Sequence, residues 1–169
     1  MIAQFLVMAA LPVLLAVAAG WDLASFTIPN VLTLALAAAF LPFGLALSFS
    51  PALFGLHLLA GLMGLVVGFG LFALGYIGGG DAKLYAAIAL WLGPHDLLPY
   101  TLVATILGGL LTLMLLALRQ FPLPAGLARQ SWLLKLHDQQ SGIPYGVALA
   151  AGVFAIMPQA EILRLAAVG

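Results

Sequence analysis

The sequence predicts an all-α polytopic membrane protein with about six transmembrane helices, forming a single transmembrane domain over residues 1–169. Three observations carry that expectation. The chain is 65% hydrophobic and 6% charged, with a mean hydropathy of +1.24, and a water-facing surface needs more polar side chains than it owns. Most of its apolar residues fall into runs of roughly 20, the length that crosses a bilayer. Proline, glycine and the few charged residues punctuate those runs.

The first run, Ile2 to Gly20, has no Lys or Arg ahead of its apolar centre and is long enough to span, so it is expected as a retained helix and not as a cleaved signal peptide. Just past it comes Trp21-Asp22-Leu23-Ala24-Ser25-Phe26-Thr27-Ile28-Pro29-Asn30. Pro29 marks the start of the second span, Val31–Phe49, with Asn30 as its expected N-cap. Ser50-Pro51 turns the chain into the third, Leu53–Ile77. There Gly61-x-x-Gly64-x-x-x-Gly68-x-Gly70 predicts close packing against a neighbouring helix.

Gly78-Gly79-Gly80 then interrupts the pattern before Asp81 and the short fourth span, Ala82–Leu92. At about 1.5 Å per residue that span cannot cross roughly 30 Å of hydrocarbon alone. With Trp91 and Gly93-Pro94 expected at the outer interface, Asp81 is drawn below the opposite headgroups. Its glycines then supply non-helical backbone that must be buried in protein or face water. Leu97–Leu118 and Ile143–Leu165 complete the set. Asp96, Asp138, Glu161 and Arg164 are expected at solvated ends, His57 as a packed or hydrogen-bonded residue, and His95 and His137 in loops. Trp132-Leu133-Leu134-Lys135-Leu136 suits either a short interfacial segment or a loop anchor.

The sizeable polar loop, Arg119 to Gly142, carries Arg119, Arg129 and Lys135 and is therefore expected in the cytoplasm. Counting crossings back from it puts the Gly78–Asp81 break and the Trp21–Asn30 connection on the same side. Formal charges balance to zero, so no nucleic-acid partner is expected. The chain has no Cys and its three histidines are scattered, so neither thiol chemistry, a metal site nor a cofactor is expected.

An acid isolated in an apolar chain is a functional candidate by default, and here Asp22 and Asp81 lie at borders that share one face. Two carboxylates suffice for amide hydrolysis: one, ionised, takes a proton from water while the other, protonated, donates to the carbonyl oxygen. Glycines ahead of such an acid let a substrate backbone come close. For Asp81 a helix-capping role is compatible with this, and Lys83 suits either snorkelling to the headgroups or tuning of Asp81.

These residues resemble the type IV prepilin peptidases, membrane aspartic proteases of the GxGD type. Gly78-x-Gly80-Asp81-x-Lys83 is similar to their second catalytic motif, and Asp22 with Ile28-Pro29-Asn30-x-Leu32-Thr33 to their first. Ile143-Pro144-Tyr145-Gly146-Val147-Ala148 with Gly152 resembles their last helix. The resemblance implies Asp22 and Asp81 as the catalytic pair, with Gly78 and Gly80 shaping the site and Lys83, Pro29 and Asn30 supporting it. It also implies cleavage of prepilin and pilin-like substrates after a glycine, at the cytoplasmic face of a bacterial inner membrane. Larger members carry a cysteine-paired cytoplasmic insertion and methylate the new N-terminus. This chain has neither insertion nor Cys, so it resembles the compact branch serving tight-adherence (Flp-type) pili, and methyl transfer is not expected. Ala24-Ser25-Phe26-Thr27 stands where basic residues often follow the first aspartate.

A reading from another class is a small proton- or cation-coupled transporter that uses the same two aspartates as a relay. A third is a non-catalytic pilus-assembly subunit, which would tolerate loss of either acid.

Overall fold

The computed structural model describes residues 2–124 and 126–160, and among these it contains helices and turns but no strand. Six α-helices follow one another: α1 (Ile2–Ser25), α2 (Asn30–Ala46), α3 (Pro51–Ala73), α4 (Gly79–Leu118), α5 (Ser131–His137) and α6 (Tyr145–Ile156). α3 and α4 are long and apolar enough to cross a membrane, and the apolar helices Asn30–Ala46 and Tyr145–Gln159 are shorter. The chain is an all-α polytopic membrane protein. Glu161, Arg164 and the end of the last expected span lie outside the described residues.

α4 takes in both the fourth and the fifth expected spans, and it is not straight. Gly93, at φ 70° and ψ −179°, is its one non-helical residue. Tyr85 and Thr101, which a straight helix would hold about 24 Å apart, share a hydrogen bond of 2.7 Å between their hydroxyls. The Tyr85 and Tyr100 rings stack at 5.9 Å. The chain therefore folds back at Gly93 into two antiparallel arms, 79–92 and 94–118. Glycine is required at the bend twice over: the backbone is left-handed there, and an added Cβ would lie 2.9 Å from the ring of His57.

His57 is buried, donates from Nδ1–H to the Leu90 carbonyl at 2.9 Å, and stacks on Phe40 at 5.2 Å. Around it lie the largest buried side chains, Trp91, Phe40, Phe43 and, further along, Tyr100. Trp91, expected at the outer interface, is instead 1% exposed and donates its indole N–H to the Leu36 carbonyl at 2.7 Å. A ring that size fills the gap where α2 meets the short arm. Asp96, expected at a solvated end, is also buried, its Oδ1 2.7 Å from His95 Nδ1 in the first turn of the second arm. Asn30 does not cap α2. Pro29, at φ −60° and ψ 138°, occupies the N-cap position, and Asn30 is the first helical residue.

The glycine stripe of α3 packs as its spacing predicts. An added Cβ at Gly61 would lie 3.0 Å from Leu90 Cβ, at Gly64 2.6 Å from Ala89 Cβ, and at Gly68 2.9 Å from the Ala82 carbonyl oxygen. Around Gly70 nothing lies within 4 Å. Gly68→Ala should therefore destabilise the protein by about 1–3 kcal/mol through overpacking against backbone that cannot move aside. Gly70→Ala should be neutral or slightly stabilising. Thermal unfolding of both variants in detergent checks the contrast.

Candidate active site

Asp22 sits in the last turn of α1 and is 4% exposed. The helix ends just beyond it because Phe26 turns left-handed, at φ 60°, with its N–H still bonded to the Asp22 carbonyl at 2.7 Å. The chain then runs through Ile28 and Pro29 into α2. Ile28 is buried, and two other elements press their backbones on it. An added Cβ at Gly80 would lie 3.1 Å from Ile28 Cβ, and one at Gly146 2.7 Å from Ile28 Cδ1. A side chain at Gly80 would force Ile28 to give way, and one at Gly146 would crowd both Ile28 Cδ1 and, at 2.9 Å, Asp22 Oδ2.

Their approach brings the acids together. The Gly146 N–H donates to Asp22 Oδ2 at 2.7 Å, and the Val147 amide stands behind it. Asp81 arrives at the same place from α4, through the contact of its neighbour Gly80 with Ile28. Asp81 is the third residue of α4, and its Oδ2 accepts the N–H of Gly78, the residue preceding that helix, at 3.3 Å. Capping and membership of the site therefore coexist in one side chain. Its Oδ1 is buried and, among the described residues, has no hydrogen-bond partner. A buried carboxyl oxygen left so requires a proton, a water or a substrate donor. Asp81 lines a cavity of about 100 Å³ between the arms of α4, α3 and α6, whose polar neighbours include Tyr85, Thr101, Thr105 and Tyr145.

Of the other residues singled out in the sequence, Gly78 meets Asp81, and Gly80 meets Ile28. Pro29 starts α2. Lys83 turns away from the acids, donating from Nζ to Asn30 Oδ1 at 2.8 Å and so tying the start of α2 to the start of α4. Among the described residues no cluster of three or more His, Asp or Glu suited to a metal ion occurs.

The sequence profile of the type IV leader peptidase family matches residues 9–113, a stretch that includes Asp22, Ile28-Pro29-Asn30 and the Gly78–Asp81 break. The chain belongs to that family. Comparison with characterised proteins and with solved structures gives no match.

In this member of the leader peptidase family, two groups that shape the surroundings of Asp22 lie beyond the matched stretch. Gly146 appears in the sequence only as part of Pro-Tyr-Gly, with no side chain to suggest that its amide serves a carboxylate. Arg119 reads as a loop charge, yet it is 6% exposed and its guanidinium donates to the carbonyls of Leu136 at 2.8 Å, Ser141 at 3.1 Å and Gly142 at 2.9 Å. It thereby anchors the segment that leads through buried Pro144 to Gly146. Its only sequence signal is its position at the end of an apolar span.

Gly146→Ala is the sharpest probe of this geometry, since its Cβ would lie 2.9 Å from Asp22 Oδ2. Loss of a hydrogen bond to a charged group, worth about 1.5–3 kcal/mol, should lower kcat/KM about 10- to 100-fold. Peptide-cleavage kinetics on the membrane-inserted variant measure it, with wild-type-like unfolding as the control.

Proposed function

We propose that this chain is a membrane-embedded aspartic endopeptidase that removes the leader of type IV (Flp-type) prepilins at the cytoplasmic face of a bacterial inner membrane. Asp22 and Asp81 act as its general acid/base pair. The observation that carries the reading is the meeting at one residue, Ile28, of the backbones that carry two acids 59 positions apart in a leader-peptidase sequence, Gly80 beside Asp81 and Gly146 bonded to Asp22.

Two carboxylates at such range hold one proton between them. The ionised member takes a proton from a water molecule, whose oxygen adds to the scissile carbonyl carbon. The protonated member gives its proton to the carbonyl oxygen. In the collapse of the tetrahedral intermediate the C–N bond breaks, the proton held by the first acid passes to the leaving amine, the second acid takes a proton back from a hydroxyl of the intermediate as the carbonyl re-forms, and the dyad returns to its starting state. Gly78 leaves the approach to Asp81 free of a side chain for an extended substrate backbone, and Gly80 shapes the site by seating the start of α4 on Ile28. Lys83, Asn30 and Pro29 support the site by fixing the start of α2 against α4. No cofactor enters the scheme, and methyl transfer forms no part of it.

The face follows from the loop that carries Arg119, Arg129 and Lys135. Lys135 Nζ donates to the Ser25 carbonyl at 2.7 Å and stands 5.0 Å over the Phe26 ring, so this loop packs against the connection that follows Asp22. A basic loop and the acids thus share one end of the bundle, and basic loops stay in the cytoplasm.

Asp22→Asn and Asp81→Asn should each lower cleavage by about 10²–10⁴-fold or more while leaving insertion intact, because an amide replaces an acid at nearly constant volume. Leader removal in cells lacking any other peptidase measures this, and full processing by either variant excludes the dyad. The pH profile of kcat/KM on a synthetic prepilin peptide in liposomes should be bell-shaped. Activity falls at low pH, where no base remains, and at high pH, where no acid remains.

The orientation is open to a separate measurement. Single cysteines placed at Ser25, Ser50 and Gln130 of this Cys-free chain should react with a membrane-impermeant thiol reagent on intact cells at position 50 alone. Labelling at position 25 would place the acids on the wrong face for a cytoplasmic leader.

A further inference from the structure

A concavity larger than the cavity at Asp81 lies elsewhere in the bundle. It is a laterally open groove of about 590 Å³ between α2 and α3, floored by the short arm of α4. At one end of the bundle α2 and α3 are pinned together, where Phe40 meets Phe54 edge to face at 5.8 Å and Gly44 is pressed against the Phe54 ring. Toward the other end they diverge, each resting on α4. The walls include Leu34, Leu58 and Leu62, and the floor is made shallow by Ala86 and Ala87. These walls offer only hydrocarbon. The polar residues of the lining, Asn30, Thr33 and Lys83, gather at the diverging end.

That end is charged and supplied with donors. Among the described residues Lys83 pairs with no carboxylate. One of its three N–H bonds goes to Asn30 Oδ1. Since an ammonium only donates, the oxygen of the Asn30 side chain faces Lys83, which leaves the Asn30 NH₂ group as a second donor beside the cation. The Thr33 hydroxyl is satisfied by the Asn30 carbonyl at 3.0 Å. A cation and an amide donor at the mouth of an apolar slot complement a phosphate joined to an alkyl chain.

The groove is separate from the acids. It shares no lining residue with the cavity at Asp81. Asp81 and Lys83, two residues apart on α4, point about 200° from one another around the helix. A substrate segment held in the groove would have the short arm of α4 between itself and the carboxylates, which argues against a peptide as occupant. We propose that the groove binds one anionic phospholipid, its phosphate on Lys83 and Asn30 and an acyl chain along Ala86, Ala87 and Leu90. Bound there, the lipid bridges α2 and α4 at the end of the bundle from which both acids are supplied.

The test uses the full chain purified in detergent and titrated with phosphatidylglycerol or phosphatidylcholine of identical acyl chains, with retained lipid counted by native mass spectrometry. Phosphatidylglycerol should bind about fivefold more tightly than phosphatidylcholine, the effect of one basic residue near a membrane surface. Lys83→Met should abolish that preference and Lys83→Arg should keep it. Ala37→Trp, which fills the groove without touching the charge, should weaken both lipids, and unfolding temperatures identify any variant that has lost its fold. Equal affinity for the two lipids in the wild type, or an unchanged preference in folded Lys83→Met, overturns the proposal. So does competition by glycerol phosphate as effective as that by the intact lipid, because the apolar walls would then contribute nothing.

Discussion

Three stretches of backbone meet around the Ile28 side chain at distances that only missing side chains permit, and the arrangement of the acids depends on that meeting. Gly80 carries the start of α4 against Ile28, and Gly146 carries the start of α6 against it from another side. Because Asp81 follows Gly80 and Asp22 precedes Ile28 by less than two helical turns, closing these contacts also draws the two acids toward one another. A carboxylate removed from water loses hydration worth several kcal/mol. The same close approach that removes the water delivers a substitute, the Gly146 N–H at 2.7 Å from Asp22. Dense packing and polar satisfaction are here one event.

The supports lie outside the dyad and use groups that do no chemistry. Arg119 gathers three carbonyls of the segment ahead of α6, and Lys135 takes the Ser25 carbonyl at the end of α1 from across the loop. A cation at a helix C-terminus is favoured by the helix dipole, so Lys135 stabilises the end of the helix on which Asp22 rides. At the opposite end of the bundle, His57, Phe40 and Trp91 form a rigid aromatic cluster beneath the Gly93 bend. The acids thus occupy the end of the bundle built from loops and helix termini, while the far end is locked by large rings.

The parts legible in the sequence were those with a side-chain or spacing signature. Asp22 and Asp81 stand out because acids are rare in so apolar a chain. The glycines of α3 announce a close helix neighbour by their spacing, and Gly78–Gly80 announce irregular backbone. Depth was not legible. Trp91 looks like an interfacial tryptophan because an aromatic ring near a Gly-Pro break often is one, and only the tertiary gap between α2 and α4 explains its burial. Asp96 and Arg119 look like loop charges because sequence distance to a polar loop says nothing of the carbonyls or histidine awaiting them. Asn30 resembles an N-cap, but Pro29 imposes the extended dihedrals that define that position. The amide of Gly146 was the least visible of all, since a backbone donor leaves no mark on composition. Its place at the site depends on two helices far apart in the chain arriving at one isoleucine.

The fold-back at Gly93 also bears on how the chain enters a bilayer during synthesis. The arm 79–92 would extend only about 21 Å and carries both Asp81 and Lys83, which makes it a poor candidate for partitioning on its own. The arm 94–118 is longer and nearly free of charge. Joined by one glycine and stitched by the Tyr85–Thr101 hydroxyl pair, the two can leave the translocation machinery as a single helical hairpin, the long arm supplying the apolar drive and the short arm delivering its aspartate. The acid is then carried to its depth as cargo of its neighbour, and the bend residue that never approaches the chemistry governs whether the chemistry is assembled.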